Sequence, residues 1–132
     1  MVEWHGKSKR MKTGGKRATL RRCTKKNAWR GGEAANTKTI TTDKETRNVN
    51  SGRGLTSKVR LTATKLINLA QGNKVIKAEI IEVEENNANR LFARSNTATK
   101  GAKLKVKVGN EEKIAIVTNR PGQDGTINAK LA

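Results

Sequence analysis

Apolar and polar residues alternate with a clear period only in the later part of the chain. Residues 103–109, KLKVKVG, put Leu104, Val106 and Val108 on one side and Lys103, Lys105 and Lys107 on the other. Successive side chains of a pleated strand face opposite ways, so this is a half-buried strand with lysines on its wet face. Residues 113–118, KIAIVT, repeat the alternation, and Gly109 and Asn110 with Glu111 predict the hairpin connection. Residues 74–83, KVIKAEIIEV, line up Ile76, Ala78 and Ile80; the doubled Ile80 and Ile81 then shifts the phase so that Ile81 and Val83 continue it, which predicts a bulge. Residues 58–70 align Val59, Leu61, Ala63, Ile67 and Leu69, but Lys65 breaks the phase and leaves a helix open there. Residues 71–73 read as a tight turn. Pro121 with Gly122 and Asp124 with Gly125 are turn signals ahead of a last strand at 126–132. Residues 86–95 are the one short helical candidate.

These elements predict an all-β fold: a small antiparallel β-barrel-like body of five or six strands, with a long basic N-terminal extension. Closure into a barrel removes the unpaired edges that short strands otherwise expose. Short strands at 37–42 and 46–50 add to this body. Before residue 54 the large aliphatics are only Val2, Leu20, Ile40 and Val49, with Met1, Met11, Trp4 and Trp29 scattered among them and no period of 2 or 3.6. That set cannot offset the cost of ordering the backbone, about 1–2 kcal/mol per residue. The expected organisation is a basic extension, residues 1–36, that orders on a partner, followed by a body, residues 37–132.

Charge names the partner's class. The chain has 29 Lys plus Arg against 11 Asp plus Glu, a net charge of +18, and residues 1–30 hold 11 of those cations against a single acid, Glu3. Self-repulsion at this density points to a polyanion. A membrane surface would require an amphipathic stretch with large apolar residues opposite its lysines; none is visible, and no apolar run reaches the roughly 18 residues of a membrane span. The basic N-terminus lacks the apolar region of a secretory signal, so a cytoplasmic location is expected. Cys23 is the only cysteine and His5 the only histidine, so no disulfide forms within the chain, and no metal set and no Ser-His or Cys-His constellation is expected. Glu82 and Glu84 share a solvated strand face, and the glycines of TGG and SGRG match no P-loop spacing. An enzyme is not expected, and neither cofactor nor metal is called for.

Cations interleaved with Gly, Ser and Thr suit a phosphate backbone. Lys and Arg release counterions, glycine lets backbone N–H groups approach, and hydroxyls donate to phosphate oxygens. Indoles and guanidinium groups stack on unpaired bases. The candidate RNA contacts are Trp4, Gly6, Lys7, Ser8, Lys9, Arg10, Lys12, Thr13, Gly14, Gly15, Lys16, Arg17, Arg21, Arg22, Lys25, Lys26, Trp29 and Arg30 in the extension. In the body they are Arg53, Lys58, Arg60, Lys100, Lys103, Lys105, Lys107 and Arg120. The acidic run at 82–85 either faces away from the polyanion or pairs with nearby lysines.

Three stretches, WHGKSKRMKTGG at 4–15, TKGAKL at 99–104 and TNRPGQDGTINAKL at 118–131, resemble the ribosomal protein S8e family, small-subunit ribosomal proteins of archaea and eukaryotes. The resemblance covers nearly the whole chain and matches the shorter archaeal form. It implies a barrel-like body whose basic extension threads into small-subunit rRNA, with a structural role in the ribosome. The implied partners are that rRNA and neighbouring small-subunit proteins, without a small-molecule substrate, membrane or homo-oligomer. Two other readings of the residues stand beside it. One is a free, chromatin-type protein that compacts nucleic acid. The other is a protein-interaction module docking through residues 82–85, with the basic tail only localising it.

Overall fold

The structure, a computed structural model, describes residues 8–18, 34–52 and 54–132. The chain divides into two units, Met1–Ala34 and Ala35–Ala132. The second unit carries β1 (Thr37–Thr39), β2 (Thr46–Ser51), β3 (Ser57–Thr64), β4 (Leu66–Gln71), β5 (Lys74–Glu85), α1 (Arg90–Arg94), β6 (Thr97–Ala98), β7 (Lys103–Val108), β8 (Glu111–Val117), α2 (Pro121–Asp124) and β9 (Asn128–Leu131). Five strands form a closed barrel in the order β4-β5-β7-β8-β9, and four form a second sheet in the order β2-β3-β1-β6. The body is all-β and barrel-like, with only short helices.

The described residues hold nine strands: the short strands expected at 37–42 and 46–50 are β1 and β2, β6 is a short strand the sequence did not announce, and the 58–70 run is two strands and not one strand or a helix. Lys65 is the break. Its ammonium lies 3.1 Å from both Asp43 and Glu79. The flanking Thr64 hydroxyl accepts the Leu66 N–H at 3.1 Å and donates to Glu45 at 2.9 Å. The chain thereby leaves one sheet and enters the barrel, where β4 pairs with β5 through residues 66–71. Parallel pairing of β4 with β9, Asn68 opposite Asn128, closes the ring.

β7 is the strand the alternation predicts: Leu104 and Val106 are buried and its lysines face outward. In β5 the register shifts twice, once between Ile80 and Glu82 and once between Val83 and Glu85. Each bulge adds one outward residue, so the inward set becomes Ile80, Val83 and Asn86, all buried. Ile81 is therefore the extra residue and is exposed, not a continuation of the inner face. The apolar core is aliphatic: Leu61, Ile67, Leu69, Ile80, Leu104 and Ile127 are its largest members, with Val83, Val106, Val117 and small Ala78, Ala98, Ala102, Ala115 and Ala129 between them, and Thr37, Thr64, Asn86 and Thr97 are the buried polar residues. Each of the larger side chains contributes about 1.5–3 kcal/mol by leaving water.

The RPGQDG stretch folds not as two open turns but as α2, with Pro121 at its first turn and Gly125 as a left-handed cap at φ 75°. A Cβ on Gly125 would lie 2.9 Å from Val59 Cγ1, and one on Gly122 would lie 2.7 Å from the Ala35 carbonyl oxygen. Glycine at these positions lets the loop press onto β3 and the segment before β1. Asn119 ties the loop together. Its amide donates to Thr126 O at 2.8 Å and to Asp124 Oδ2 at 3.1 Å, and its Oδ1 accepts from Asn128 N at 2.9 Å.

Candidate nucleic-acid interface

The described part of the first unit, residues 8–18, is a tight loop closed by its own backbone. Arg10 and Lys16 form an antiparallel bridge. Met11 N donates to Gly15 O at 2.8 Å, Gly14 N to Met11 O at 3.0 Å, and Arg17 N to Lys9 O at 3.1 Å. Gly14 sits at φ 84°, a conformation that L side chains resist. The Arg10 guanidinium turns back onto Gly14 O at 2.9 Å and Arg17 Nε onto Arg10 O at 3.3 Å. Lys9, Lys12, Thr13 and Lys16 are left exposed around the rim. The loop presents ammonium groups together with a glycine backbone.

In the second unit, β2 and β3 form an arm. Asn48 pairs with Arg60 and Asn50 with Lys58, and cross-strand partners share a face. Period two adds Thr62 to this face. The opposite face carries Val49 and Val59, with Val59 against the α2 loop. From Thr46 to Thr64 the sequence has four cations and no acid. Of these, Arg47 is committed internally: it donates from Nε to Gly125 O at 3.1 Å and pairs with Glu45. Lys58 and Arg60 have no ion pair among the described residues. The asparagines and Thr62 supply amide and hydroxyl donors beside them, and sequence reading missed all three. The alternation R-N-V-N opposite K-V-R was the available signal.

The lysine row of β7 is different. Lys103 lies 2.7 Å from Glu85 and Lys105 lies 2.7 Å from Glu82. Hydrogen bonds to Glu85 and Glu82 respectively, reinforced by their charge, raise both lysines above their ordinary pKa. Lys107 pairs in register with Glu79 and Glu112. Of the two readings of the acidic run, pairing with nearby lysines is the one seen. Lys100 stands exposed on the turn closed by Ala102 N to Thr99 O at 3.1 Å, and Arg120 is exposed at the N-cap of α2. Trp4, Gly6, Lys7, Arg21, Arg22, Lys25, Lys26, Trp29, Arg30 and Arg53 lie outside the described residues.

Among the described residues no helix is long and apolar enough to cross a membrane. The family described as "Ribosomal protein S8e" matches residues 4–132. The chain is 39% identical over 133 residues to the small ribosomal subunit protein eS8 of Methanococcus maripaludis, covering 99% of this chain and 98% of the relative. It is 39% identical over 128 residues to the protein of the same name from Halobacterium salinarum, covering 97% and 96%. The Ignicoccus hospitalis protein, also named eS8, is 36% identical over 133 residues, covering 99% and 97%.

Proposed function

The chain belongs to the ribosomal protein S8e family, and from that premise we propose that it is a structural constituent of the small ribosomal subunit that binds and stabilises small-subunit rRNA. The observation that carries this is the separation of charge. The 8–18 loop and the β2–β3 arm carry cations and no acid, while six of the eleven acids sit on β5 and β8. The loop brings Lys9, Lys12 and Lys16 to phosphates, and the arm lays Lys58, Arg60, Asn48 and Asn50 along the RNA backbone. Lys100 and Arg120 add contacts from neighbouring turns. Lys103 and Lys105 are already neutralised, so they contribute little, and the barrel serves as the platform for the arm. The extension, residues 1–36, anchors the body, residues 37–132, in the cytoplasmic ribosome. The role is mechanical, without catalysis or cofactor.

The test is a sucrose-gradient profile of cell lysate before and after a high-salt wash of the small subunits. Each phosphate contact contributes about −0.7 to −0.9 to the log–log salt slope, so generic binding weakens steeply. Retention at one copy per small subunit, abolished by deletion of residues 1–34, is the expected result. Spreading with bulk nucleic acid would turn the reading toward a free compacting protein.

A further inference from the structure

The outer face of β5, β7 and β8 is built unlike the rest of this basic chain. Paired positions across the barrel wall form three rows. Glu79, Lys107 and Glu112 make the first; Glu82, Lys105 and Ile114 the second; Glu85, Lys103 and Ile116 the third. The two bulges add Ile81 and Glu84 to the same side. Glu79 is taken by Lys65 at 3.1 Å and has the exposed Lys77 beside it, but in the rest of the face four carboxylates, Glu82, Glu84, Glu85 and Glu112, meet three ammonium groups, Lys103, Lys105 and Lys107, in a molecule whose net charge is +18. Ile81 is 44% exposed and Ile114 is 42% exposed, in the row centred on Lys105. A shallow depression of about 420 Å³ borders the first row, lined by Leu66, Lys77, Ala78, Glu79, Lys107 and Gly109.

We propose that this face docks a basic, aliphatic-bearing segment of a neighbouring protein in the small subunit, an inference that rests on the ribosomal reading. Complementarity selects the occupant. Phosphates meet a carboxylate excess here, and Lys103 and Lys105 are engaged by Glu85 and Glu82, so an RNA backbone has little to hold. Glu84 and Glu112 have no ion pair among the described residues. They are free to receive a partner's Lys or Arg. Ile81 and Ile114 supply aliphatic area that a protein side chain can cover and a phosphate cannot. The bulge widens the face at this point, setting Ile81 beside Glu82 on the outer side.

The experiment uses the full chain assembled into small subunits, with a benzophenone amino acid replacing Ile114 in one sample and Thr62 in another. After irradiation the adducts are identified by mass spectrometry. The position-114 probe should capture one Lys/Arg-rich peptide of another subunit protein, and the position-62 probe should capture rRNA. The double variant Glu84→Lys, Glu112→Lys should lower the position-114 yield about tenfold and leave the position-62 yield alone. An RNA adduct at 114, a second copy of this chain, or no adduct overturns the proposal whenever position 62 still captures rRNA. An unchanged yield in the double variant does so too. If neither probe reacts and the chain runs apart from the subunits, the ribosomal reading has failed and the docking face falls with it.

Discussion

The β2–β3 arm and the outer wall of the barrel are both exposed sheet surfaces, yet they solve opposite electrostatic problems. On the arm, cations alternate with neutral amides and hydroxyls, and among the described residues Lys58 and Arg60 have no carboxylate to pair with. On the barrel wall each lysine of β7 has a glutamate across the ladder, and Lys103 and Lys105 are bound to theirs. Six of the eleven acids sit on β5 and β8 alone. Counting lysines therefore says little about where a polyanion binds. Whether a cation's neighbours have already neutralised it says more.

The largest test of this contrast concerns what each surface rests on. Leu104→Ala, directly behind the β7 lysines, should cost about 2–5 kcal/mol in urea unfolding, because the barrel interior cannot close over the void. Val49→Ala on the arm should stay within about 0.5 kcal/mol. Comparable losses at the two sites would mean the arm is part of the core after all. Next in size is Gly125→Ala. It forces a side chain into the left-handed region and against Val59, so a loss of about 1–3 kcal/mol is expected, with weakened RNA binding because the arm loses its seat.

RNA affinity separates the surfaces more finely. Lys58→Ala with Arg60→Ala should lower affinity several-fold and flatten the log–log salt slope by about 0.7–0.9 for each phosphate no longer neutralised. Lys103→Gln with Lys105→Gln should leave that slope nearly unchanged; a matching loss would show the wall to be an RNA surface. The smallest effect is on pH dependence. Lys103 and Lys105 have folded pKa values above the ordinary 10.5, so their stabilising contribution is complete below 10.5 and is lost as pH rises through the raised values. Glu111, lowered from 4.5 by the hydrogen bond from Lys113, contributes above 4.5 and loses it as pH falls through the depressed value. In thermal unfolding, Glu82→Gln with Glu85→Gln should flatten the alkaline edge and leave the acid edge in place.

Much of the barrel was legible because period two is a local signal. The β7 alternation, the Gly109 and Asn110 connection and the irregularity at Ile80 all read directly from neighbouring residues. What escaped depended on distant partners. The exit from one sheet at Lys65 is fixed by Asp43 and Glu79, neither adjacent in sequence, and Ile81 points outward because the pairing of Ile80 and Glu82 with β7 leaves it as the unpaired residue of a bulge. The RPGQDG stretch announced turns, but its compaction into α2 follows from Asn119 and Asp124 bonding around it. The cations of the candidate interface were visible as a class. Their division into engaged and available sets was not, since the glutamates that divide them lie across a sheet.

Barrel closure also imposes an order on synthesis. β4 finds β9 only across a separation of 60 residues, Asn68 Nδ2 to Asn128 Oδ1 at 3.0 Å. The 8–18 loop, by contrast, is held by hydrogen bonds no more than eight residues apart. A chain made from its N-terminus can form that cationic loop almost at once, whereas its barrel stays an open sheet until β9 emerges. The cationic loop is thus shaped before the body that carries it.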